Sequence, residues 1–276
     1  MIRNGTLAAL NAFRLLSLAF RRARSIQRQS KSYGQLLRMS ATVAKRLAFL
    51  PIKGADGSLW ETRIVKFEWI PGLSRSQNQR SIQNMHQSLL AEYGLERVLE
   101  ISSKSDSSLG NSLSAFNLQL QGQKLTSSVE CFYQGSKVFE HGGPFQDIYS
   151  STSLQAKRDE RLQASGPLRH FVFDSQVWPL EDSPNFYDFL YISALTQNAH
   201  SDELLNYDAF TDFAYSQTRL KLSAKKSFNC QARSASIYVT LVRAGKLDAY
   251  LRNPRHYSTQ ITHPFDESST QLDLFS

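Results

Sequence analysis

Cysteine and metal-ligand patterns are scarce in this sequence. Cys131 and Cys230 are the two cysteines among 276 residues, and each lies in an apolar or motif-dense stretch. Such sparse cysteine argues against a disulfide framework and fits a reducing compartment. The six histidines are scattered, and no pair of His or Cys residues has the spacing of zinc ligands. We therefore expect no bound metal and a cytoplasmic location.

Acidic residues are missing from the start of the chain, since none precedes Asp56. Residues 1–55 carry 11 of the 32 lysines and arginines, so 21 basic residues face 24 acidic ones in the remainder. The formal net charge of the remainder is therefore near −3, although that of the whole chain is +8. The basicity belongs to the N-terminus and does not describe the folded part.

Long apolar runs are also missing. Residues 7–20 are interrupted by Asn11 and Arg14 and are too short and too charged to span a bilayer. We predict neither a transmembrane helix nor a membrane partner. Three interpretations of residues 1–38 stay open: sequence upstream of a natural start at Met39, a flexible nucleic-acid-binding arm, or a targeting peptide.

Periodicity predicts several elements in the first half of the chain. A strand is expected over residues 64–69, closed by Pro71 and Gly72, and a helix over residues 74–93. The short apolar run 98–101 leads into the polar segment 102–105, which has the composition of a loop that can wrap a ligand.

A further helix is predicted over residues 128–140, ended by the Gly-Gly-Pro at 142–144. Glu130, Gln134 and Lys137 fall at i, i+4 and i+7 on it and would share one face. Without further information, this face is a solvated helix surface with a charge pair.

The second half contains two more predicted helices. One begins at Ser183 with Pro184 in its first turn and runs to about Asn198, and the other covers residues 234–242 beyond a basic run at 221–226. An apolar stripe on the first is interpreted as core. Residues from Pro254 onward are polar and are expected to be disordered.

A set of ordered and spaced motifs carries a resemblance to a known family. The motifs are 67–69 (FEW), 79–82 (QRSI), 104–105 (KS), 113–118 (LSAFNL), 129–140 (VECFYQGSKVFE), 142–144 (GGP), 156–162 (AKRDERL), 178–179 (WP), 186–191 (FYDFLY), 209–212 (AFTD) and 226–232 (KSFNCQA). Together they resemble the NADAR (NAD and ADP-ribose) superfamily, in the branch found as antitoxins beside DarT-type toxins.

The resemblance implies an α+β, predominantly helical single domain with a small sheet. It divides the chain into a basic extension (1–38), a NADAR-like catalytic domain (39–253) and a disordered tail (254–276). It also implies a hydrolase that removes ADP-ribose from guanine in DNA and so reverses a cognate toxin. ADP-ribose would be the product ligand with no cofactor, and the partners would be ADP-ribosylated DNA and the toxin.

The implied reaction breaks a bond between an anomeric carbon and an exocyclic amine, so the leaving nitrogen needs a proton. Glu130 resembles the family's active-site glutamate, with Gln134 and Lys137 as substrate-binding neighbours. Lys104 lies in the segment that matches the ribose-wrapping loop, where its amine could form a Schiff base, or it is a surface lysine. Asp212 resembles a second catalytic carboxylate, although aspartate there also suits a cap.

Four further residues are predicted to bind substrate. Trp178 is a candidate for stacking on a base, with a place in the core as the alternative. Arg158 and Arg161 could pair with the diphosphate, or they are exposed helix charges. Asn229 completes the predicted set.

The C-terminal peptide resembles the segment by which bacterial DNA-processing proteins dock on the replicative sliding clamp. Gln271 would bond the pocket rim, and Leu272, Leu274 and Phe275 would enter a hydrophobic groove. An arbitrary amphipathic tail is the alternative.

Two other functions stay open at this point. The protein could be a non-catalytic antitoxin that binds the toxin or the modified DNA. It could also be an N-glycosidase acting on a free ADP-ribose or riboflavin-pathway derivative. The choice between Schiff-base and acid–base chemistry is equally open.

Overall fold

The computed structural model describes residues 42–53, 58–214 and 229–257. The chain separates into a unit ending at Val43 and a second unit from Ala44 onward, and the contacts below lie within the second unit. The predicted extension 1–38, the basic run 221–226 and the clamp-like residues Gln271, Leu272, Leu274 and Phe275 lie outside the described residues, so what was inferred from them stays a prediction.

The described residues form short strands and helices that alternate along the chain. The strands are β1 (Thr42–Leu50), β2 (Glu61–Trp69), β3 (Val98–Glu100), β4 (Gln119–Gln121), β5 (Thr126–Ser128), β6 (Lys137–Phe139), β7 (Leu168–Phe173), β8 (Gln176–Pro179) and β9 (Ala209–Thr211). The helices are α1 (Arg75–Tyr93), α2 (Ser108–Ser112), α3 (Val129–Gly135), α4 (Ser153–Arg158), α5 (Arg161–Ala164), α6 (Ser183–Thr196), α7 (Gln231–Arg243) and α8 (Leu247–Arg252). Short 3₁₀ segments occupy Gln146–Ser150, Leu180–Asp182, Ser201–Asn206 and Pro254–Tyr257. The disorder predicted from Pro254 onward is therefore wrong for residues 254–257, where Tyr257 is buried.

These elements confirm a mixed α+β fold, with a difference in the sheet. Where one small sheet was expected, the described strands form three, in the orders β2-β1-β9-β3, β4-β5 and β6-β7-β8. None of the described helices has the length and apolar content needed to cross a membrane.

The four-stranded sheet places polar groups where the strands β3 and β9 end. The buried strand β9 runs antiparallel to β1 and parallel to β3, with Glu100 in register with Thr211. Both strands end at this pair of residues, so their carboxyl ends meet at the same edge. The sheet therefore brings Glu100 beside Thr211 and the next residue, Asp212.

Helix α1 has sequence signals at both of its ends, and helix α6 has one at its start. Ser74 caps α1 in a capping box with Gln77, and Gly94 ends it in the left-handed conformation at φ 63°. Helix α6 has a proline in its first turn as predicted, but Asp182 precedes it without a side-chain cap bond. The expected apolar stripe of α6 is buried in the core, as predicted: Tyr187, Leu190, Tyr191, Ala194 and Leu195.

The helix predicted over residues 128–140 is wrong in length, because α3 ends at Gly135. A Cβ atom at this glycine would lie 2.6 Å from the Tyr149 ring and 2.9 Å from the Phe145 carbonyl oxygen, so the backbone there is closely packed. Val138 lies in the following strand β6, which pairs with β7. A β-branched residue suits that pleated pairing, and tertiary contacts therefore override the helical spacing.

A buried ion pair joins α6 to the start of α7. Arg233 donates to Asp188 at 3.0 Å, and the Ser234 hydroxyl donates to the other Asp188 oxygen at 2.6 Å. The side chains of Arg233 and Asp188 are 8% and 0% exposed. Because Gln231 begins α7, this pair also sets where that residue lies.

Replacing Asp188 with asparagine should lower the free energy of unfolding by about 3 kcal/mol, since the buried Arg233 guanidinium would lose its counter-charge. Urea denaturation measures this change. Asp248→Asn, at an exposed site, should shift the value by less than about 0.5 kcal/mol. Equal effects of the two substitutions would show that the ion pair does not hold the two helices.

Candidate active site

Glu130 lies on α3, a helix whose seven residues are all buried. The Ser128 hydroxyl caps this helix by accepting from the Cys131 amide at 3.2 Å. The Glu130 side chain is 3% exposed, and Gln134 donates to its carboxylate at 2.9 Å. The Glu130 carboxylate is therefore held inside the protein rather than on a solvated helix face.

Lys137 joins this group although it lies on β6 and not on the helix. Its Nζ donates to Gln134 Oε1 at 2.6 Å and lies 4.8 Å from the centre of the Tyr133 ring. Burial lowers the pKa of Lys137 to about 8, with repulsion from Lys157 acting in the same direction and the charge of Glu130 opposing it. Near neutral pH, a larger fraction of this amine is neutral than in an ordinary lysine.

Asp212 follows β9 and is 9% exposed. Burial raises the pKa of its carboxyl, while bonds from the Ala214 amide and the Gln231 side chain and the charges of Lys157 and Lys104 lower it. The bond from Ala214 is 3.2 Å long. This aspartate does bond a following amide as a turn cap would, and it also faces two lysines.

A chain of hydrogen bonds links the Asp212 carboxylate to the backbone amide of Glu130. The Gln231 side chain bonds Asp212, and its Oε1 accepts the Ala115 amide at 2.7 Å. The Ala115 carbonyl in turn accepts the Glu130 amide at 2.9 Å. The buried Tyr187 lies within electrostatic range of both carboxylates. The structure therefore brings Glu130, Gln134, Lys137 and Asp212 into one polar centre.

Three residues of this centre were missed by the sequence-based prediction. Gln231 and Lys157 lie inside motifs that carry the family resemblance, so the signal was present there. Glu100 had no such signal. It is 1% exposed and accepts from the Thr211 hydroxyl at 2.7 Å and the Phe213 amide at 2.9 Å. Burial and the charge of Asp212 raise the pKa of this carboxyl.

A cavity of ≈ 530 Å³ adjoins α3, a size typical of small-molecule sites. Its wall is rich in hydroxyl groups, with Phe116 as its aromatic member, and Lys157 Nζ lies 5.0 Å from the centre of that ring. Lys157 also acts electrostatically on Lys137 and Asp212 and so connects the cavity with the polar centre. The lining residues are Phe116, Gln119, Leu125, Thr126, Ser127, Ser128, Tyr149, Ser150, Ser151, Thr152 and Ser153.

Other predicted site residues lie elsewhere. Trp178 is 1% exposed and packs on Phe186 and Phe189, so the structure does not support its role in base stacking. Arg161 is bound by Asp147 and Asp159, which leaves little of its charge for a diphosphate.

Three further predicted residues lie at the protein surface. Arg158 is exposed at the end of α4, and Asn229 is exposed at the start of the last described range. Lys104 is half-buried after β3, within electrostatic range of Asp212. Their roles in binding or catalysis stay predictions.

Within the ranges that the structure describes, no three His, Cys, Asp or Glu side chains are arranged to hold a metal ion. Both cysteines are buried and free. The fold and the site thus define a mixed α+β protein with a buried, carboxylate-centred polar site.

The sequence model of one family, described as DarT1-associated NADAR antitoxin, matches residues 44–271. The match spans most of the 276 residues, and the chain belongs to this family. Its role is therefore that of an antitoxin, with a cognate DarT toxin as the implied partner. A search of curated proteins found no match.

Lys137 should titrate near its lowered pKa of about 8 when isotope-labelled lysine is followed by NMR. Glu130→Gln should lower the pKa further, because the carboxylate favours the ammonium form. The exposed Lys124 provides an internal reference that should not respond to this substitution. Titration of Lys137 at the ordinary 10.5 would contradict the buried geometry.

Proposed function

We propose that the protein removes ADP-ribose from guanine bases of DNA and thereby reverses the modification made by its cognate toxin. The observation that carries this proposal is the polar centre in which Glu130, Lys137 and Asp212 converge. Membership in a family of DarT1-associated antitoxins supplies the biological setting. An antitoxin with a buried acid–base centre is suited to erasing a lesion by chemistry.

The reaction requires charge stabilisation at the anomeric carbon and a proton for the leaving nitrogen. Glu130 supplies a buried negative charge that stabilises a developing oxocarbenium ion. Asp212 lies on the other side of the Gln231–Ala115 bridge and acts on the leaving group or the attacking water. Carboxylates contributed by different elements are suited to such a division of roles.

Lys137 is the better-placed amine for a covalent route. Its lowered pKa provides neutral amine, and Gln134 holds its Nζ beside Glu130. In that route Nζ bonds to the anomeric carbon as the bond to guanine breaks and the guanine nitrogen takes a proton. The bond from the anomeric carbon to the ring oxygen then opens, the oxygen taking the remaining Nζ proton, and the Schiff base forms. Water adds to this Schiff base, releases ADP-ribose and restores the amine. Lys104, the amine expected from the sequence, is also half-buried and acts electrostatically on Asp212.

The adjoining cavity is suited to the ADP part of the substrate. Hydroxyl groups along its wall offer donors and acceptors for ribose and diphosphate oxygens, and Phe116 offers an aromatic surface. Lys157 places a positive charge between the cavity and the carboxylates. These features also fit a free ADP-ribose derivative, so DNA and nucleotide substrates must be compared directly.

Purified protein should release unmodified DNA from an oligonucleotide that carries ADP-ribose on guanine, but not from one that carries it on thymine. Glu130→Gln, Asp212→Asn and Lys137→Ala should each lower the turnover number at least about 100-fold, since each removes a group used in the transition state. Lys104→Ala, tested beside Lys137→Ala, shows which amine the reaction needs. Glu96→Gln, at an exposed site near β3, is the matched control.

Three results would contradict this function. Tight binding of the modified DNA without release would support the non-catalytic antitoxin. Turnover restricted to free ADP-ribose derivatives would support the nucleotide N-glycosidase. Protection of cells from the toxin by Glu130→Gln at the wild-type level would also count against hydrolysis, because that variant should have lost the chemistry.

A further inference from the structure

Glu100 is a buried carboxyl that the mechanism above does not use. Its side chain is 1% exposed, and none of the ion pairs among the described residues includes it. A buried carboxyl without a paired cation favours its neutral, protonated form. The charge of nearby Asp212 favours that form further, and together these two effects outweigh hydrogen bonds from Thr211, Phe213 and Ser102 that favour the carboxylate. Glu100 thus has the environment of a group that keeps its proton.

The backbone places Glu100 directly beside the site. It ends β3 in register with Thr211, and Asp212 is the next residue along the neighbouring strand. Burial raises the pKa of both carboxyls, so the pair retains one proton while carrying one negative charge near neutral pH. Two neighbouring carboxyls in a dry site cannot readily both ionise.

Hydrogen bonds hold Glu100 in a single orientation. The Thr211 hydroxyl lies 2.7 Å from Glu100 Oε2 and 2.9 Å from Nε2 of the neutral His86 ring, so it bonds both groups. Burial lowers the pKa of His86 to about 4, against the charge of Asp106, which fits this neutral form. The Phe213 amide donates to the other Glu100 oxygen at 2.9 Å.

We propose that Glu100 is a positioning residue that stores a proton behind Asp212, and that this carboxyl pair protonates the leaving nitrogen through Asp212. As the bond between the anomeric carbon and nitrogen breaks, its electron pair stays on nitrogen, which takes a proton from Asp212. Asp212 receives that proton from Glu100, so the single proton of the pair moves to nitrogen and both carboxyls are ionised until it is returned. The water that later adds its oxygen to the sugar carbon returns a proton to the pair. This inference rests on the proposed hydrolysis.

Glu100→Gln tests the proposal because glutamine has the shape of a protonated glutamic acid but cannot release a proton. We expect the turnover number to fall about 100-fold while KM stays within about twofold, as for a lost proton donor. Glu96→Gln should keep both values. Wild-type turnover in Glu100→Gln at neutral pH would overturn the proposal, because a neutral hydrogen-bonding partner would then suffice.

A second pair of variants covers the case in which Glu100→Gln does not fold. Thr211→Val keeps the β-branched shape of Thr211 and removes its hydroxyl, whereas Thr211→Ser keeps the hydroxyl. We expect Thr211→Val to lower the turnover number about tenfold and Thr211→Ser to restore it, since a hydrogen bond that orients the buried Glu100 carboxyl is lost. Equal activity of these variants would overturn the role of the chain from His86 to Glu100.

Thermal unfolding as a function of pH gives a readout that does not depend on turnover. The pKa of Glu100 is raised in the folded state, so the native protein binds this proton more tightly than the unfolded chain does, and stability is lost as pH rises above the ordinary carboxyl range. The Tm of Glu100→Gln relative to wild type should therefore increase between pH 5 and 8. A pH-independent difference would overturn the stored proton.

Several titratable side chains face the pair, and the buried Tyr187, Tyr191 and Cys230 lie within electrostatic range of Asp212. His86 on α1 stays neutral above pH 5, and Lys104 and Lys157 are the cations that act on Asp212. If the wild-type protein shows no hydrolysis, both the proposed function and the role of the pair as proton donor are wrong. The Tm series would still show whether Glu100 holds a proton.

Discussion

The backbone N–H and C=O of Ala115 make the contacts on which the site depends. Its amide donates to Gln231 at the start of α7, and its carbonyl accepts from Glu130 on α3. Since Gln231 also bonds Asp212, the Ala115 backbone connects the Asp212 side chain with the first turn of α3, which carries Glu130. The Asp188–Arg233 pair fixes α7 on the other side, so the distance between the catalytic candidates is set by packing rather than by flexible side chains.

Burial of the polar groups destabilises the folded protein, and it also shifts their pKa values. Taking Glu100, Asp212 and Lys137 out of water disfavours their charged forms and shifts each pKa toward neutrality. Groups with such shifts exchange protons near physiological pH, which acid–base catalysis requires. The surrounding sheet and helices must supply the stability that these buried polar groups do not.

The elements that the sequence predicts best have strong local signals. Ser74 and Gly94 mark both ends of α1, and Pro184 marks the first turn of α6. The segment after Gly135 was predicted as helix because its spacing fits one, yet pairing with β7 turns it into a strand. Neighbouring strands cannot be read from helical or alternating patterns alone.

Because local patterns do not show which strands pair, the sequence identified some site residues and not others. Glu130 and Gln134 are close along the chain, and the motif resemblance identified them, Lys137 and Asp212. Glu100 reaches the site only through the parallel pairing of β3 with β9, which no local pattern reveals. Trp178 was a plausible stacking residue in sequence, but aromatic packing against Phe186 and Phe189 buries it.

The most direct measurement is a crystal structure of the Glu130→Gln variant with ADP-ribose bound. We predict that the anomeric carbon lies between residue 130 and Asp212, within reach of Lys137 Nζ, with the ADP part in the hydroxyl-lined cavity. ADP-ribose bound away from these residues would contradict it, because the polar centre would then have no part in handling the sugar.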